Sequence, residues 1–296
     1  LTTQLPPVPW EYLIVQGFET WPFNGFDASW SRDGKQIAFF ARVNRDHALV
    51  IIDADTGKVL RKIELESPSL DQAFSPSFSS DDKKVYFSAS LNITRDIYVI
   101  DLESGDIVNL TNDDRFDTAP AVSPDGAKIA YVSSDGDFQH LFVYNHLTGA
   151  KEQLTFGQFN DSSPSWSDDG STLVYTSDEA DHIWNLYTFD LATRTVSQWT
   201  EFIGEVKTPL FARGSLNTVY YVVFHDDDQY RDSIYRNYEI FGVELKKPIR
   251  QYMAVDTGAS SSFAFNLNRN VFKLQLDSNQ LLNPTKPPER WGCKGG

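Results

Sequence analysis

Residues 109–133 read NLTNDDRFDTAPAVSPDGAKIAYVS, and the architecture can be worked out from this one stretch. It holds a strand end, a polar loop, a short half-apolar strand, a tight turn and a buried strand. The turn is Ser123-Pro124-Asp125-Gly126. Pro presets φ at the first central position, Asp suits the second, and Gly takes the positive φ that closes a hairpin. After the turn, Ile129 to Val132 is β-branched, small and aromatic, as a buried strand should be.

The same pattern recurs along the chain. Five anchors precede the turn, Trp30, Phe78, Val122, Trp166 and Phe211, at spacings of 48, 44, 44 and 45. An independent mark, an acidic or amide residue closing a later strand, falls at Asp53, Asp101, Asn145, Asp190 and Glu244, at spacings of 48, 44, 45 and 54. The extra length of the last interval lies in HDDDQYRDSIYRN, residues 225–237, which reads as a loop insertion. A sixth, weaker copy has its anchor near Phe263, with Val271 to Leu276 as the following strand. Each copy carries four strand signals, here A to D, and no helix-period segment of useful length separates them. Four short antiparallel strands per ~44 residues, repeated, are the signature of propeller blades. The expected fold is an all-β, six-bladed β-propeller of four-stranded antiparallel blades over residues 24–276. EYLIVQGF (11–18), within an N-terminal segment 1–23, is expected to pair into the last blade as a closing clasp, because an open arc would leave an unpaired edge. Residues 277–296 read as an irregular tail.

Composition bounds the function. With 26 Lys and Arg against 41 Asp and Glu, the net charge is −15, which repels nucleic acid and anionic lipid. No apolar run approaches the ~18 residues of a membrane span, so no membrane insertion is expected. One cysteine, Cys293, permits no internal disulfide.

D strands such as IVNLTNDD, followed by Asp-x-x-Pro, Ser-Pro-Asp-Gly and an apolar B strand, resemble the repeats of TolB-like β-propellers. The match is closest over 95–190, in RDIYVIDLESGDIVNLTNDD, in DTAPAVSPDGAKIAYVSS and, directly after Asp161, in SSPSWSDDGSTLVYTSD. It extends over roughly 24–245. TolB itself carries an additional N-terminal α/β domain, and the resemblance is to its propeller portion only, so that domain is not expected here. The resemblance implies a non-catalytic scaffold in the periplasm or outside the cell, a mature form after signal-peptide removal, with a protein partner and possible membership of a multi-subunit assembly. Related propellers include metal-assisted lyases and lactonases, which is the alternative. No Gly-x-Ser-x-Gly elbow is present for hydrolase chemistry.

Strand order puts the D–A and B–C loops on one face and the short A–B and C–D turns on the other. Function belongs on variable loops carried by a rigid scaffold. The candidate partner-binding residues are therefore Arg42, Arg45, Arg95, Arg115, Asp117, Asp137, His140, Asp161, His182, Trp184 and Arg231, with Trp184 as an aromatic anchor. Asp117 and Asp161 stand three residues before Pro120 and Pro164. There they either cap a loop or form a carboxylate ring for a cation or a basic side chain. Asp226, Asp228 and Asp232 invite Ca²⁺, but their spacing lacks the alternation of an EF-hand loop; a solvated insertion is the plainer reading, and no cofactor is expected. Trp30, Phe78 and Trp166 are expected in the core.

Overall fold

Alternating β-branched and aromatic runs bounded by Asp-, Ser- and Gly-rich turns leave the backbone one economical solution, the antiparallel meander. The computed structural model describes residues 28–43, 46–65, 70–134, 136–202, 204–225, 237–254 and 265–266, with no helix among them. The first sheet is β1 (Ala28–Trp30), β2 (Gln36–Val43), β3 (Asp46–Asp53) and β4 (Val59–Glu64). The second is β5 (Gln72–Phe78), β6 (Lys84–Leu91), β7 (Thr94–Asp101) and β8 (Ile107–Asn109), and the third β9 (Asp117–Val122), β10 (Lys128–Ser134), β11 (Gln139–Asn145) and β12 (Lys151–Gln153). The fourth begins with β13 (Asp161–Trp166), β14 (Thr172–Ser177), β15 (Asn185–Asp190) and β16 (Thr195–Gln198). The fifth has, among the described residues, three strands, β17 (Glu205–Phe211), β18 (Thr218–His225) and β19 (Asn237–Glu244).

The chain divides into two compact units, residues 1–152 and 153–296. In the first, sheets one and two bury Phe40, Leu49, Phe78, Phe87 and Tyr98 between them, with the Phe40 and Phe87 rings 5.1 Å apart. Sheets two and three bury Ile97, Tyr131 and Phe142. In the second unit, Val206, Val219, Tyr221 and Phe241 of sheet five pack on Val174 and Leu186 of sheet four. Phe78 and Trp166 are buried as expected, whereas Trp30, on the first strand of the first described sheet, is half exposed.

Five blades are present among the described residues, not the six expected. The reason lies after β19. In the first three sheets a short side chain at the end of strand C caps the C–D turn. Asp53 Oδ1 accepts the Thr56 N–H at 2.8 Å, Asp101 Oδ1 those of Glu103 and Ser104, and Asn145 Oδ1 those of Leu147 and Thr148; Gly57, Gly105 and Gly149 then take positive φ. The fourth repeats this with Asp190 and a left-handed Arg194. At the fifth position stands Glu244, whose longer side chain pairs with Lys246 at 2.9 Å, and Leu245-Lys246-Lys247-Pro248 contains no glycine. No tight hairpin forms. The next strand, β20 (Arg250–Met253), pairs instead with β16, and β21 (Phe265–Asn266) pairs with β20. Residues assigned to a fifth D strand and a sixth blade thus extend the fourth sheet to six strands. The clasp strand at 11–18, the strand 271–276 and the tail 277–296 lie outside the described residues, so closure by the N-terminal strand is not part of the observed fold.

The A–B turn behaves as its sequence dictates. The Ser123 hydroxyl donates to Asp125 Oδ1 (2.6 Å) and accepts the Lys128 N–H (2.9 Å), while Gly126 has φ 72°. A Cβ on Gly126 would also meet Ser80 Oγ of the preceding sheet at 2.7 Å, whereas Gly34, in the equivalent turn of sheet one with φ 73°, faces open space. Gly34→Ala is expected to cost about 1 kcal/mol from the left-handed backbone alone. Gly126→Ala should cost about the same, because the Ser80 hydroxyl can rotate away from the new methyl group, and thermal unfolding of the two variants side by side checks it.

Candidate functional site

Four A strands share an irregularity that positions the site. In β5, β9, β13 and β17 the register against strand B slips, leaving two residues opposite one. At each slip a left-handed residue precedes a proline: Ser75-Pro76, Ala119-Pro120, Ser163-Pro164 and Thr208-Pro209. A proline cannot donate to the ladder, so a bulge is where a strand can hold one. The bulge brings the residue three positions before the proline into the strand. Asp117 and Asp161 therefore open β9 and β13, paired with Ser133 and Ser177, rather than lying in a loop. Both are fully buried.

Asp117 shares its surroundings with Asp96 on β7 and Asp113 on the loop after β8, the three offering carboxylate oxygens within 4.8 Å of one another. Asp96 is well supported. Its Oδ1 accepts the Thr111 hydroxyl (3.1 Å) and the Asp113 N–H (3.2 Å), and its Oδ2 accepts Asn109 Nδ2 (3.0 Å). Asp113 Oδ1 accepts the Arg115 N–H, and its Oδ2 lies 2.7 Å from the Lys151 ammonium, which also donates to the Thr111 carbonyl. Asp117 has no such support: neither oxygen finds a hydrogen bond of good geometry. Unit charges about 5 Å apart repel by about 3 kcal/mol at an effective dielectric of about 20, so the trio tolerates full ionisation poorly. Burial, above all, pushes the Asp117 carboxyl up to about 6; the nearby Ser133 and Thr111 hydroxyls pull it partly back, and Asp113 and Asp96 add to the rise.

In the second unit, Asp161 accepts the Thr155 hydroxyl. Glu179, after β14, is half-buried and accepts the Tyr252 hydroxyl from β20; burial raises its carboxyl above the ordinary value. Burial likewise holds the Tyr175 and Tyr187 hydroxyls protonated.

The other candidates scatter. Asn92 and Ile93 alone form the B–C turn of sheet two, so Arg95 falls inside β7, half-buried, with its guanidinium 4.9 Å from the Phe74 ring centre. Arg115 is exposed and stacks 5.1 Å over Phe142. Between them Phe116, bridged to Arg95 through the backbone, is 47% exposed. Asp137 and His182 are exposed, Trp184 is half-buried, and His140 is buried within β11. Arg42 lies on β2, and Arg45, Arg231, Asp226, Asp228 and Asp232 lie outside the described residues. Sequence reading missed Asp96, Glu179 and Tyr252. Asp96 could have been found, since His140 and Asn185 occupy its position in the next two repeats.

Residues 26–235 match the family model of the TolB beta propeller domain. Among solved structures, TolB from Acinetobacter baumannii is similar at 24% identity and a TM-score of 0.56, covering 67% of this chain and 50% of that one. The putative TolB from Agrobacterium tumefaciens is similar at 16% identity and a TM-score of 0.60, covering 74% and 76%. An oligogalacturonate lyase in complex with manganese is similar at 16% identity and a TM-score of 0.54, covering 74% and 65%. The chain spans half the length of the Acinetobacter protein, and these likenesses speak to fold alone. No curated protein sequence matches the chain.

The raised Asp117 carboxyl sets a sign for pH dependence. Between the ordinary 3.8 and about 6 the folded protein holds this proton while the unfolded chain has released it. The stability it contributes is present below about pH 4, is lost as pH rises to about 6, and is absent above. Asp117→Asn should therefore gain stability relative to the parent as pH climbs from about 4 to about 7, measured by urea unfolding in the presence of a chelator. A parent-minus-variant difference that is flat across this range would contradict the assignment.

Proposed function

Because the chain belongs to the TolB beta propeller domain family, we propose that it is a non-catalytic scaffold that docks a protein partner on its D–A and B–C loop face. The proposal includes residence in the cell envelope or outside the cell, as a subunit of a larger assembly. The observation that carries it is the group Arg95, Arg115 and Phe116 in the first unit. Each guanidinium lies over an aromatic ring, Phe74 or Phe142, and Phe116 stands exposed, with Ile93 (87% exposed) in the B–C turn that leads to Arg95. Arg and aromatic side chains are the residues that dominate interface energies. On a chain of net charge −15, a pair of arginines seated on aromatic rings suits an acidic segment of a partner carrying an apolar side chain. Among the described residues no helix is long and apolar enough to cross a membrane.

The test uses the protein in its source cells, with a photo-crosslinking amino acid in place of Ile93. A defined partner should be captured, and Arg115→Glu combined with Phe116→Ala should weaken its binding at least about 30-fold, the loss of one hot spot of about 2 kcal/mol. The unfolding midpoint should change little, since both side chains are exposed. A partner that crosslinks only to the A–B turns, such as Ser123-Pro124-Asp125-Gly126, at the other end of the sheets would overturn the reading.

A further inference from the structure

The repeat itself shows which polar groups the fold needs at the sheet-to-sheet junction and which it does not. One position on strand C carries Asp96, His140 and Asn185 in successive copies; fifteen residues on stands Thr111, Thr155 or Thr200; six further stands Asp117, Asp161 or Val206. In the last copy the Thr200 hydroxyl accepts the Leu186 N–H (2.8 Å) and donates to Asn185 Oδ1 (2.9 Å), which also accepts the Phe202 N–H (2.9 Å). In the first copy Thr111 accepts the Ile97 N–H (3.0 Å) and donates to Asp96, which accepts the Asp113 N–H. The hydrogen bonds are the same. The later junction makes them with a neutral amide and closes with valine, so neither the charge of Asp96 nor any polar group at position 117 is required by the fold.

The earlier junction nonetheless gathers three carboxylates, one of them wholly buried with neither oxygen in a hydrogen bond of good geometry. Positive charge is already drawn there: the Lys151 ammonium sits between Asp113 Oδ2 and the Thr111 carbonyl oxygen, an arrangement of oxygens around a cation. It leaves Asp117 unserved. We propose that Asp96, Asp113 and Asp117, with the Thr111 carbonyl, bind one hard divalent cation of the Ca²⁺ class, and that Lys151 is a weak competitor for the same oxygens. An all-oxygen, mainly anionic donor set excludes the soft metals and suits an ion that takes six to eight oxygens at about 2.3–2.6 Å. Water would complete its shell. The ion would tie β7 and β9 to the loop 112–116, which presents Arg115 and Phe116. The proposal does not depend on the docking reading, since the ion site can exist without a partner.

The experiment is calorimetric titration of the full chain, freed of metal by chelation, with Ca²⁺ alone, together with unfolding midpoints at each Ca²⁺ concentration. One equivalent should bind, and the midpoint should rise with Ca²⁺. Asp117→Asn, which keeps shape and volume, should weaken binding at least tenfold and flatten the midpoint shift. Lys151→Met should tighten binding several-fold, while Asp161→Asn, at the same position of the next repeat, should leave it unchanged. Absence of any Ca²⁺-dependent shift in the parent and in Lys151→Met would overturn the proposal. Equal loss of binding in Asp161→Asn and Asp117→Asn would overturn the assignment of the ligands.

Discussion

A short antiparallel sheet of β-branched and aromatic residues has two apolar faces, and neither can be left in water. That demand governs the molecule. Strands β6 and β7 are nearly continuous in burial, because the first and third sheets cover both of their sides. Stacking sheet on sheet leaves only the strand ends for polar business, and each end takes a different kind. One collects short Ser-, Asp- and Gly-rich turns that cap themselves. The Ser79 and Ser123 hydroxyls hold the Asp81 and Asp125 carboxyls below the ordinary value, and backbone and hydroxyl donors around Asp169 do the same there. The other end collects longer crossings, and with them the unsatisfied charge.

The turn chemistry is the most legible part of the sequence. Serine, aspartate and glycine at fixed offsets announce their hydrogen bonds locally, so strand number and order within each of the first copies can be read directly. The count of blades cannot, because it rests on a competition rather than a motif. Glu244 and Pro248 fail to cap the fifth C–D turn, and the next strand then finds a better edge at β16 than at β19. A D-strand pattern such as IRQYM says that a strand forms; it does not say which neighbour it joins.

The buried carboxylates are half legible. Their spacing to proline marks Asp117 and Asp161 as equivalent, but a proline three residues on reads as a loop signal. The left-handed residue before each proline instead makes a bulge within a strand, which turns an exposed cap into an interior group. Asp96 is hidden for the opposite reason: before a run as apolar as IYVI, an aspartate looks like a strand boundary. Only the pairing of β7 with β8 and its packing against β9 brings it to Asp113 and Asp117.

The strand lent by the fifth blade to the fourth has a temporal side. Sheets one to three are each built from consecutive residues, so each could be completed soon after its last strand is synthesised. The fourth sheet cannot. Its outer margin waits until Arg250–Met253 has been made, well after β16, by which time all of β17 to β19 already exists. Completion of the fourth blade on a growing chain is therefore bound to arrival of the fifth, and the two mature as a pair.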